Sequence, residues 1–202
     1  TGDARIARIY EGTNEINRML MVGMLLKRAM KGEVDLFGPA MAVSGELTAV
    51  PSFESVDTSE LFAAEKAVLK NLKKVFLMVG GKAAMALQDR IEDEQEIMIN
   101  LADVMTEIYA AESAILRTEK LVSLKGESAC SNQIAMSQVY LSEAVEKINA
   151  AAREAIASFT KGDEQKVMLM GLKRYTKTDL VNTKELRRHI ADYMIAQGKY
   201  PF

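Results

Sequence analysis

"IAMSQVYLSEAVEKINAAAREAIASF", residues 134–159, decides the fold. Ile134, Gln138, Leu141, Val145, Ile148, Ala152, Ile156 and Phe159 follow one another at steps of three and four. On a helix of 3.6 residues per turn those steps bring all eight onto one face. Kept up for about four heptads, such a face is the seam of a packed helix bundle.

Two more long helices are read upstream. One carries Leu61, Ala64, Val68, Leu72, Val75 and Val79, with Ser59 or Asp57 as its cap, and its Gly80-Gly81 pair marks a close contact or a break. The next carries Leu101, Val104, Ile108, Ala111, Ile115 and Val122 and stops near Gly126. Gly162 is read as the end of the helix over 134–159, and the tail adds one or two shorter helices. No stretch alternates as a strand does. Long helices on short loops pack as antiparallel neighbours, so the expected fold is all-α, an up-and-down bundle.

Composition agrees. The chain is 49% hydrophobic and 27% charged, with net charge −2 and thirteen methionines among many helix formers. No field steers nucleic acid, so no nucleic-acid partner is expected. No apolar run is long enough to span a bilayer. One cysteine, Cys130, excludes an internal disulfide and fits a reducing, cytoplasmic setting. The chain opens in mid-pattern at "TGDARIAR" without an initiator methionine, and is expected to be a piece of a longer protein.

At the start, Thr13 caps a helix running to Lys31, with Glu15 in its first turn and Gly32 beyond its end. Its apolar face is read as Ile16, Leu20 and Met24, with Met21 and Leu25 beside them. From Gly32 to Thr58 the period is lost, two of the three prolines appear, and the segment is expected to be a linker. The division is therefore 1–31, a linker 32–58, and a bundle 59–202.

Most candidate sites have a bland reading. Cys130 fits a small buried thiol, and His189 has no second ligand beside it. Glu92, Asp93, Glu94 and Glu96 lack the glycine and alternation of a calcium loop, so no metal is expected. The basic stretch "KRYTKTDLVNTKELRR", residues 173–188, fits a solvated face. "RIYEGTNEINR", residues 8–18, carries more chemistry. Gly12 lets a ligand approach the backbone, the first helical turn offers free N–H groups, and Glu11 taken out of water can serve as a base. A capped helix start beside a glutamate is also an ordinary structural feature.

"DARIARIYEGTNEINRMLMVG", residues 3–23, resembles the catalytic-base segment of the acyl-CoA dehydrogenases, where an aromatic-Glu-Gly-Thr turn precedes the last helix of the C-terminal helical domain. The helical remainder resembles the extension of the very-long-chain branch and of related bacterial enzymes of fatty-acid β-oxidation. The resemblance implies that Glu11 is the base that removes the α-proton of an acyl-CoA. It implies that Gly12 lies against the substrate and that Thr13, Asn14 and Glu15 contact FAD. The product would be a trans-2-enoyl-CoA, and the electrons would pass on to electron-transfer flavoprotein. It further implies a homodimer or other homo-oligomer and peripheral contact with a membrane. With the flavin domain absent, this chain is expected to carry the base yet be inactive alone. The alternative is an oligomerisation, membrane-surface or protein-interaction module without catalysis.

Overall fold

The structure, a computed structural model, describes residues 2–49, 60–199 and 201. These form eight α-helices and no strand. Three long helices make the centre: α4 (Ala63–Leu87), α5 (Gln95–Lys125) and α6 (Ser131–Phe159), where the numbering counts three shorter helices before them. Cross-links between them step in opposite directions along each pair. Lys66 pairs with Glu119 and Lys73 with Glu112 (2.6 Å), which sets α4 antiparallel to α5. Lys147 pairs with Glu107 at 2.8 Å and the Thr118 and Ser137 hydroxyls meet at 2.9 Å, which sets α5 antiparallel to α6.

The seam read from residues 134–159 is the core. Leu141, Val145, Ile148, Ala152 and Ile156 are buried, and Ile134, Gln138 and Phe159 are half-buried. Leu101, Val104, Ile108, Ala111 and Ile115 are buried on α5, with Val122 half-buried near its end. On α4, Leu72, Val75 and Val79 are buried. Ala64 is exposed and Leu61 lies before the helix, because α4 starts at Ala63 behind Phe62. The caps expected at Asp57 and Ser59 lie outside the described residues. Gly80-Gly81 is a contact and not a break. A Cβ on Gly81 would stand 2.7 Å from that of Ala40. Gly162 does not end α6, which stops at Phe159 as the Thr160 hydroxyl donates back to the Ile156 carbonyl (2.5 Å). Gly162, at φ 63°, opens α7 (Gly162–Tyr175), and α8 (Thr183–Gln197) lies along α6 with Arg187 on Glu143 at 2.6 Å.

Two further readings need correction. The expected linker 32–58 contains a helix, α3 (Phe37–Thr48), and its residues 50–58 lie outside the described residues. Pro39 is no obstacle there, since in a first turn its missing N–H had no intrahelical partner to lose. Leu36, Ala40, Val43 and Leu47, at steps of four, three and four, turn α3 onto α4 and α7. A polar clasp holds it. Glu46 accepts from Lys74 (2.6 Å) and from the Tyr175 hydroxyl (3.2 Å), while Arg174 donates to the Glu46 carbonyl (3.1 Å).

The second correction concerns α2 (Asn14–Met30). Ile16, Leu20 and Met24 do not face the core; they are 53%, 56% and 53% exposed. The stripe that packs is Met19, Val22, Leu26 and Ala29, with Met21 beside it. The helix is apolar round most of its circumference, so the sequence offers two stripes, and the bundle covers the one at steps of three and four. Val22 is 1% exposed, and Arg18 pairs with Asp103 at 3.0 Å to register α2 antiparallel to α5.

Candidate site at the start of helix α2

The short helix α1 (Gly2–Ile6) leads into a turn over residues 7–13. Asn14 N–H donates to the Arg8 carbonyl at 3.1 Å and closes the turn. Glu11 is in the left-handed region, φ 55°, and Gly12 follows at φ 97°. For a side chain like glutamate that conformation costs about 1–2 kcal/mol, so something must hold it. Gly12 has little freedom to change, since a Cβ there would meet Asn17 Oδ1 at 3.1 Å on top of its positive φ. Two side-chain bonds hold the turn from the helix side. The Ile16 N–H donates to Thr13 Oγ1 (3.3 Å), the cap read from the sequence. Asn17 Nδ2 donates to the Gly12 carbonyl (3.0 Å). The Thr13 hydroxyl also lies close enough to the Glu15 carboxylate to favour its charged form.

Glu15 titrates below the usual carboxylate range. Its own backbone N–H comes first as the cause and the Thr13 hydroxyl second, with Arg18 and Arg8 adding charge. Glu15 is therefore an anion at the positive end of α2. Glu11, Gly12 and Glu15 are exposed, and Thr13 and Asn14 half-buried, so the five residues singled out from the sequence stand together on one accessible turn. Ile6, Ile9, Tyr10 and Ile16 flank them along the chain as exposed apolar side chains, and Leu20 and Met24 follow further along α2. The turn presents an exposed carboxylate beside exposed apolar side chains, while the N–H groups of Asn14, Ile16 and Asn17 at the helix start are engaged on Arg8 and Thr13.

The other candidates keep their bland readings. Cys130 is buried, and His189 lies exposed in a shallow cleft with Glu127, Ser128 and Leu186. Among the described residues no three His, Cys, Asp or Glu side chains gather as metal ligands do. In the basic stretch, Arg174 and Arg187 are engaged within the bundle. Sequence reading missed a cavity of about 600 Å³ between α4, α6 and the loop before α8, floored by Val68, Leu141 and Val145. It also missed the Asn17 bond, although an asparagine five residues after a glycine at a helix start is visible in the sequence.

The family model for the acyl-CoA dehydrogenase C-terminal domain matches residues 71–174, about half of the chain. The chain belongs to the acyl-CoA dehydrogenase family. A probable acyl-CoA dehydrogenase of Bacillus subtilis (strain 168) is 36% identical over 198 residues, which are 98% of this chain and 33% of that protein. The crystal structure of an acyl-CoA dehydrogenase complexed with FAD from Bacillus anthracis superposes with a TM-score of 0.92 at 37% identity, over 99% of this chain and 34% of that one. The chain thus spans about a third of the length of these dehydrogenases. The family-model match falls on α4 to α7 and does not include the Glu11 turn. No helix among the described residues is long and apolar enough to cross a membrane.

Proposed function

We propose that the chain is the C-terminal third of an FAD-dependent acyl-CoA dehydrogenase, and that it contributes the catalytic base, Glu11. The observation that carries this reading is α2. Its Met19-Val22-Leu26-Ala29 stripe is seated on the bundle, while Ile16, Leu20 and Met24 form a second apolar stripe with no cover, directly behind the Glu11 turn. A helix with two apolar stripes is built to be packed on two sides. The two relatives are each about three times as long as this chain, and one of them is a complex with FAD.

Bound FAD supplies the hydride acceptor. The accessible polar groups of Thr13, Asn14 and Glu15 at the start of α2 fit a polar cofactor edge and would hold it. Gly12, without a Cβ, lets an acyl thioester approach the backbone. The Glu11 carboxylate takes the α-proton, and the Glu11 N–H donates to the thioester carbonyl as negative charge develops on that oxygen. The β-hydrogen leaves with its electron pair, and the carbon product is the trans-2-enoyl thioester. Alone, the chain has no hydride acceptor and one wall of an acyl pocket, so it turns over nothing. Electron-transfer flavoprotein is the proposed oxidant of the reduced cofactor.

The test joins the chain to the dehydrogenase region that precedes it in a full-length relative. The joined protein should bind FAD and dehydrogenate acyl-CoA, and Glu11→Gln should lower turnover by about 10²–10⁴ with FAD still bound. Near wild-type flavin reduction by that variant removes Glu11 from the mechanism. A second reading, an assembly module without catalysis, has one observation in its favour: the family-model match lies on the bundle alone. Under it the isolated chain self-associates, and sedimentation against concentration separates the two.

A further inference from the structure

We propose that Asn17 is a positioning residue for Glu11, acting through the Gly12 carbonyl; this rests on the reading of Glu11 as the base. Glu11 sits at φ 55°, where a non-glycine residue stays only if its surroundings hold it. The turn is exposed, so no packing does the holding. What remains is hydrogen bonding. The Asn14 N–H fixes the far end of the turn, on Arg8, and the Thr13 side chain is spent on the Ile16 N–H. Among the described residues, the one bond to the peptide between Glu11 and its helix is Asn17 Nδ2 to the Gly12 carbonyl, at 3.0 Å. That carbonyl belongs to the residue next to Glu11, so its direction sets the rotation of the chain at Gly12 and the aim of the Glu11 carboxylate. Asn17 itself is anchored. It stands in the first full turn of α2, next to Arg18, which is paired to Asp103 of α5. The bundle therefore reaches the base by two short steps, from Asp103 to Arg18 and from Asn17 to Gly12.

The choice of residue follows from the chemistry. The partner is a carbonyl, so the side chain must donate. It must also be uncharged, because a cation here would pair with Glu11 or Glu15 and displace the base from its task. An amide side chain meets both demands, and neither aspartate nor leucine does.

Two measurements test this. In the full-length dehydrogenase, Asn17→Ala should lower kcat about ten-fold with KM within about two-fold, as expected of a bond that orients the base and does not bind substrate. Asn17→Gln, which keeps the donor, should restore kcat to within about three-fold. In the isolated chain, NMR should show the strong intraresidue HN–Hα contact of a positive φ at Glu11, lost in Asn17→Ala and kept in Asn17→Gln. Wild-type kcat in Asn17→Ala together with an unchanged positive φ at Glu11 overturns the proposal. Equal losses in Asn17→Ala and Asn17→Gln overturn it too. If instead Glu11→Gln is fully active while Asn17→Ala loses the positive φ, the reading of Glu11 as base has failed and the conformational hold has not.

Discussion

The two stripes of α2 can be told apart by one pair of substitutions, Val22→Asp and Leu20→Asp. Val22 is 1% exposed and touches the core of α5, so its replacement first loses a buried valine, about 1.5–2 kcal/mol. It then places a carboxyl among Met19, Leu26 and Ala29, with no designed partner. Leaving it charged costs several kcal/mol, so it protonates, at 1.36 kcal/mol for each unit its pKa must rise. The total is about 4 kcal/mol or more. For a chain of this size 1 kcal/mol moves the melting temperature by about 2–4 °C, so Val22→Asp should lower it by about 10 °C. Leu20 is 56% exposed and two residues away on the same helix, so helix propensity and chain position are nearly shared. Leu20→Asp should change stability by no more than about 0.5 kcal/mol in the isolated chain. Calorimetric melts of the two variants decide. Equal losses would mean that α2 does not sit on the bundle as described. Inside the full-length dehydrogenase Leu20→Asp should become costly as well, and if it stays silent there the second stripe is not an interface.

Three other predictions concern the fold and the isolated chain. Gly81→Ala should cost about 1–3 kcal/mol because its methyl meets Ala40, whereas Gly23→Ala in α2, where a methyl would make only an ordinary 3.7 Å contact with Met98, should be neutral or stabilise by up to about 1 kcal/mol; denaturant titrations compare them. The Tyr175 phenol is pushed up to about 12, chiefly by burial and then by the Glu46 charge, so the folded chain holds that proton more tightly than the unfolded one. Its contribution is complete below pH 10 and lost as the pH rises towards 12. Tyr175→Phe should flatten that alkaline loss in urea melts run across the range, and a slope unchanged from wild type would refute it. The isolated chain should purify colourless and reduce no acceptor with any acyl-CoA; a flavin absorption band surviving gel filtration would contradict this.

How much of this was legible in the sequence depended on how many patterns competed at each place. Residues 134–159 offer one apolar face, so Leu141, Val145 and Ile148 were assigned to the core correctly from spacing alone. Helix α2 offers two, and Ile16, Leu20 and Met24 look as good on paper as Met19, Val22 and Leu26. Only the neighbour decides between them. Helix α3 was missed because Pro39 and the glycines suggest a loop, while Leu36, Ala40, Val43 and Leu47 bury against residues 40 and more than 120 positions away, such as Gly81 and Gly171. That partnership has no local signature. The turn at Glu11 was legible for its residue types, and Thr13 caps as read. Its strain at φ 55° and the bond from Asn17 were not, since both are properties of the folded turn.

If Glu11 is the base, as proposed, those properties also give a reason for joining it to a helical bundle. A carboxylate at the end of an unsupported helix would sweep through many orientations, and the ordering would have to be supplied by substrate binding. Here α2 is fixed before any ligand arrives. Val22 and Ala29 seat it, Arg18 on Asp103 sets its register, and Asn17 with Thr13 shapes the turn at its start. The seated stripe supplies the foothold and the open stripe the contact with the remainder of the enzyme. One helix can then hold the base at a set height above both. In the proposed reading the bundle's contribution to catalysis is therefore made through kcat. Core substitutions in α5 beside Asp103, the partner of Arg18, should move the orientation of Glu11 before they move the affinity for acyl-CoA.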